Sequence, residues 1–160
     1  PDYAVTGVQT CALPISLSLV DDSLDVLVLA TQATLSSNIY QSELKKINPH
    51  RSIIEVWGRN LAKLIEEGDE ASITAFVDAY IAPHHVSQIL LACTHYPLIS
   101  NHISKVSDAT LIDSIQVLSD CAKNYPPSSE SSIILATSQP QEFQSKIKRL
   151  FQDDVEVHGL

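Results

Sequence analysis

The chain has 160 residues, enough for one ordinary domain with its own apolar core. Ten Lys and Arg against 19 Asp and Glu give a net charge of −9, so no basic field exists to attract nucleic acid or an anionic membrane surface. Its apolar runs, such as residues 24–30 and 89–92, are far shorter than the roughly 20 residues of a membrane-crossing helix. Three cysteines, at 11, 93 and 121, form no closed set of pairs and no zinc-type spacing, which points to a reducing, cytoplasmic setting.

No methionine occurs in the chain, and no signal-peptide pattern precedes it; the expectation is a piece of a longer protein. Residues 5–15 have no hydrophobic period and resemble the translation of a sequencing-library adapter. Residues 1–16 are therefore expected to be non-native, and Cys11 is kept out of any catalytic reading.

From Leu17 onward, β-branched runs alternate with amphipathic stretches, the pattern of a parallel-sheet α/β protein. Strands are expected at 25–30, 52–56, 88–92, 109–112, 132–136 and 155–157. Ser36 or Ser37 would cap a helix running to Lys46, and Asp69 a helix carrying Ile73, Phe76, Val77, Tyr80 and Ile81 on one face. Two more helices are expected at 114–125 and 140–151, the second opened by Ser138 with Pro140 and Glu142 in its first turn. Residues 125–132, rich in Pro and Ser, read as a connecting loop.

In such folds chemistry gathers beyond the carboxyl ends of the strands. Thr31-Gln32-Ala33-Thr34 follows the first strand, Cys93-Thr94-His95-Tyr96-Pro97 the third and Asp113-Ser114 the fourth. A cysteine at a strand end facing helix N-terminal amides has its thiolate stabilised, and His95 can serve as its proton partner or as a donor to a carboxylate. On composition alone, an inert buried cysteine beside a backbone-capping histidine is the better reading.

The string as a whole changes that. Residues 91–99, Leu-Ala-Cys-Thr-His-Tyr-Pro-Leu-Ile, closely resemble the Gly-Cys-Thr-His-Tyr-Pro-Leu-Leu signature of glutamate racemases. Residues 29–40, 64–68, 112–114 and 135–151 resemble further segments of that family in order and spacing, so the similarity runs from about residue 25 to the end. It implies a three-layer αβα domain of the aspartate/glutamate racemase type, with part of a second such domain. Residues 17–107 would be the second domain, and 108–160 the returning segment of a first domain whose N-terminal half is missing. That segment is expected to leave an apolar face exposed.

The resemblance also implies an isomerase that interconverts L- and D-glutamate for peptidoglycan with no cofactor and no metal. Two cysteine bases on opposite faces of Cα carry the proton. Cys93 matches the second of them, and Thr94 would bind substrate. His95 would assist the thiol and contact substrate, Glu66 would orient His95, and Thr34 would contact substrate or cap a helix. The intact protein would be cytoplasmic, with glutamate as its partner and room for a homodimer.

The family's Asp-Ser-Gly, Tyr-Gly and Cys-Asn-Thr-Ala motifs, which supply the first base, do not occur, so the fragment alone is expected to be inactive. Trp57-Gly58-Arg59-Asn60 stands where the family shows Ala-Cys-Pro. Open alternatives are another amino-acid racemase of the family, a carboxylate-binding module indifferent to the Cys93 thiol, and a metal site from His84, His85, Cys93 and His95. His50, His102 and His158 read as surface residues, and Cys121 as a small core residue.

Overall fold

The computed structural model describes residues 16–115, Ser119, Lys123 and residues 134–159. The segment expected to be non-native lies outside the described residues except for Ser16. So do Cys121, most of the helix expected at 114–125, and the loop at 125–132. Contacts divide the chain into two compact units, with the boundary between Asn124 and Tyr125.

The first unit is a four-stranded sheet. Its strands are β1 (Val26–Ala30), β2 (Ile53–Trp57), β3 (Gln88–Ala92) and β4 (Thr110–Ile112), in the order β2-β1-β3-β4. Every pairing is parallel, with Val26 opposite both Ile53 and Gln88 and Ala30 opposite both Trp57 and Ala92. Parallel strands need helical crossovers that cover both faces, which is why the central strand can read Val-Leu-Val-Leu-Ala and be buried at every position. The edge strand β2 tolerates Glu55 and an exposed Trp57.

The crossovers are α1 (Gln32–Ser36), α2 (Ile39–Ile47), α3 (Leu61–Glu67) and α4 (Glu70–Tyr80), followed by the short α5 (Ser100–Ile103). On one sheet face, Val26, Val28, Ala30 and Leu90 pack with Tyr40 and Leu44 of α2 and with Leu17 and Val20. Side chains alternate along a strand, so Leu27 and Leu29 face the opposite side and are equally buried. Each such side chain contributes about 1.5–3 kcal/mol by leaving water. The result is the expected three-layer α/β architecture.

The amino edge of the sheet is pinned by a polar network. The backbone N–H of Asp21 donates to Gln88 Oε1 at 2.7 Å, and Asp21 O accepts from Gln88 Nε2 at 3.1 Å and from the buried Arg51 at 2.6 Å. Loop, β2 and β3 are thereby locked at one end, leaving the other end for chemistry.

Asp69 caps α4 by accepting from Ser72 N–H, and Ile73, Phe76, Val77 and Ile81 are buried as expected. Tyr80 is not; its ring stands 5.0 Å from that of Phe76 at the exposed end of the helix. Instead of one helix capped by Ser36 or Ser37 there are two: α1 is capped by Thr31, and α2 starts after Asn38 in the left-handed region, which asparagine tolerates better than most residues. β4 pairs with β3 from Gln88↔Thr110 onward and completes this sheet.

The second unit comprises β5 (Ile134–Ala136), α6 (Pro140–Phe151) and β6 (Val157–Gly159). β5 and β6 form a two-stranded parallel sheet in which Ile134 faces Val157; this register carries the last strand two residues beyond the expected 155–157. Helix α6 has its expected span, with Pro140 in its first turn, but Gln139 at φ 48° stands at its cap in place of Ser138. None of its residues is buried, and Leu135, Phe143 and Phe151 are exposed, so this stretch presents an apolar face. No helix among the described residues is long and apolar enough to cross a membrane.

Candidate active site

Three loops of the first unit meet at the carboxyl edge of its sheet, because Ala30, Trp57 and Ala92 lie in register. Thr31 follows β1, Gly58 follows β2 and Cys93 follows β3. The Gly58 N–H donates to Ala30 O at 2.9 Å, carrying the β1–β2 ladder one residue into the loop.

Cys93 is half-buried at the end of β3. The chain then turns through Thr94 and His95 into a single 3-10 turn, Tyr96–Ile99, which begins with a Tyr96 N–H bond to Cys93 O at 3.1 Å. This tight return brings His95 Nδ1 to 3.9 Å from Cys93 Sγ, a long sulfur hydrogen bond. From α3, Glu66 Oε1 lies 3.0 Å from His95 Nε2. A carboxylate only accepts, so Nε2 carries the proton in this contact, and the neutral ring then turns the acceptor Nδ1 toward the thiol. Cys93, His95 and Glu66, 29 residues apart in sequence at their widest hydrogen bond, thus form one relay.

Burial raises the Cys93 thiol above its ordinary value, and the backbone N–H groups of His95 and Tyr96 pull the other way without prevailing. The sequence predicts that helix N-terminal amides near Pro97 favour the thiolate. They act in that direction, but desolvation of the charge outweighs them. Cys93 is therefore held as a thiol that His95 can deprotonate.

Thr94 sits exposed in the same loop. Thr34 is half-buried in α1, where its hydroxyl shares a 3.0 Å hydrogen bond with Thr31 Oγ1, and its N–H donates to the same oxygen at 3.3 Å. Two tyrosines that the sequence does not single out as site residues are coupled to the thiol. Burial raises both Tyr40 and Tyr96 above their ordinary values, and a thiolate at Cys93 adds to the rise when it forms. Their mutual closeness to the thiol comes from α2 and from the 3-10 turn, and only Tyr96, three residues from Cys93, was near enough in sequence to suggest it.

The remaining histidines divide. His50 is exposed, as read. His102, read as a surface residue without a partner, is mostly buried and pairs with Glu70 Oε2 at 2.8 Å; the α4–α5 contact that joins them is tertiary. His158 lies 3.9 Å from Glu156. His84 and His85 follow α4, and among the described residues no group of three or more His, Cys, Asp or Glu side chains is placed to hold a metal ion.

These features define an α/β protein with a strand-end thiol relay, and comparison with known proteins shows what it resembles. No family model matches the chain. It is 38% identical over 97 residues to the glutamate racemase of Lactobacillus helveticus, covering 58% of this chain and 35% of that protein. With the glutamate racemase of Lactobacillus acidophilus it shares 28% identity over 144 residues, 81% of this chain and 54% of the relative. The crystal structure of Francisella tularensis glutamate racemase in complex with D-glutamate superposes with a TM-score of 0.73 at 24% identity, over 91% of this chain and 60% of that one.

The chain is thus similar in sequence and fold to glutamate racemases over part of their length, and it spans about a third to a half of the curated relatives it matches.

Proposed function

We propose that the chain is the C-terminal part of a glutamate racemase, an isomerase that interconverts L- and D-glutamate, and that Cys93 is one of its two proton-transferring thiols. The observation that carries this reading is the Cys93–His95–Glu66 relay at the carboxyl end of β3, in a chain whose relatives bear that name.

Racemisation needs a base on each face of Cα, one to take the proton and one to return it. Cys93 supplies one. In one direction His95, steadied by Glu66, accepts the thiol proton so that the sulfur can take the α-proton. In the other, the thiol donates. Thr94 and His95 contact the substrate carboxylates, and Thr34, already bonded to Thr31, borders the same edge. The second base belongs to the remainder of the parent protein. On this reading the unit built around residues 17–107 is the second α/β domain, and the segment toward residue 160 returns to the first. The exposed Leu135 and Phe143 then meet the rest of that domain. The parent works in the cytoplasm, without a cofactor, to supply D-glutamate for peptidoglycan.

The test is the full-length parent, obtained by extending the reading frame upstream of Ser16, incubated with L-glutamate in D2O. Loss of optical rotation with deuterium at Cα, both abolished in Cys93→Ala, is the expected result. Glutamate binding without racemisation, unchanged in Cys93→Ala, would overturn the assignment in favour of a carboxylate-binding module.

A further inference from the structure

We propose that Gly58 and Tyr96 form a positioning pair that sets the His95–Glu66 contact. Glu66 and His95 belong to different segments, α3 and the Cys93 loop, so their contact depends on how those segments are held together. The 3-10 turn packs directly on α3, and Gly58, three residues before α3, adds a contact of its own. The Tyr96 ring, fully buried, reaches back across the carboxyl edge and places its hydroxyl 3.4 Å from Gly58 O. Gly58 O also accepts from Leu61 N–H at 3.1 Å, the first residue of α3. The tyrosine therefore meets the helix start through one shared carbonyl, while His95, its neighbour in the chain, meets Glu66 near the helix end.

Fit at this contact is without slack. A Cβ on residue 58 would stand 2.2 Å from the Tyr96 hydroxyl oxygen and 2.7 Å from Cζ, so either the ring or the turn would have to move. Gly58 does not occupy the left-handed region; what it supplies is space. A displacement of the ring moves residue 96, and with it His95, away from an acceptor held by the buried Leu61 and Ile65 of α3. Hydrogen bonds weaken steeply with such misalignment.

The pair rests on the racemase reading only for what the relay accomplishes, so its test uses a signal independent of turnover. In the full 160-residue chain labelled with 15N-histidine, long-range proton–nitrogen spectra report the tautomer of His95, assigned by its absence from His95→Gln. The unsubstituted chain is expected to show the Nε2–H form, and Glu66→Ala a mixture of both. Gly58→Ala, which crowds the ring, and Tyr96→Leu, which no longer reaches residue 58, are expected to show the same mixture. Leu29→Ala, a core change of the same sheet, is expected to lower the melting temperature and keep the single tautomer.

Should Gly58→Ala fail to fold, Tyr96→Leu decides. Retention of the single tautomer in folded Gly58→Ala or in Tyr96→Leu, or its loss in Leu29→Ala as well, overturns the proposal. A parent that does not racemise glutamate, with these tautomer results as expected, would fail the functional reading and leave the positioning pair standing.

Discussion

The two units use the same strand-helix-strand grammar and come to different ends. In the first, β1 has a parallel neighbour on each side and buries all five of its residues. In the second, β5 has one neighbour among the described residues; its central Leu135 is 52% exposed, and α6 buries nothing. A parallel strand is stable in proportion to the helices and strands that cover it, so strands of the same alternation can differ in how far they are covered. The relay of Cys93, His95 and Glu66 stands on the finished unit.

The comparison can be broken most directly by mutation. Leu29→Ala is expected to cost about 2–5 kcal/mol in urea unfolding of the first unit, since it opens a cavity between covered layers. Leu135→Ala should change stability by less than about 0.5 kcal/mol, the range of surface substitutions; a cost equal to that of Leu29→Ala would mean the second unit has a finished core after all. Amide exchange gives an independent view, with β1 and β3 expected to exchange far more slowly than β5 and β6.

A smaller effect is expected at the α4 cap, where Asp69→Ala removes the acceptor for Ser72 N–H and should cost about 1 kcal/mol, read as a fall in melting temperature. The site itself offers a pH test. Burial raises the Cys93 thiol, and the thiolate is the nucleophile. At a given pH below the midpoint, Cys93 therefore holds less thiolate than a free cysteine peptide. Iodoacetamide labelling of Cys93, followed by peptide mass mapping, should be slower than that of the peptide and rise at higher pH. Labelling faster than the peptide at pH 7 would show that the backbone amides outweigh burial.

Much of the candidate site is legible in the sequence because its residues are close neighbours along the chain. Cys93, Thr94 and His95 lie within three residues, directly after a strand that could be read from four apolar residues in five. Glu66 entered only through family resemblance, since 29 residues of chain separate it from its partner. Tyr40 was invisible as a neighbour of the thiol, because its α2 is brought there by packing against β1 and β3. Gly58 read as a departure from a pattern; its use became plain only with Tyr96 against it.

Composition, periodicity and the order of motifs by themselves determined the α/β class, four of the six strand positions to within a residue at either end, and the loop that bears the thiol. These depend on residues near one another along the chain, where side-chain alternation and capping act. The tertiary structure decided which strands pair, that β4 belongs with β3, that His102 finds Glu70, and that burial raises the Cys93 thiol. Each of those depends on which distant surfaces exclude water together, and so on the packed chain.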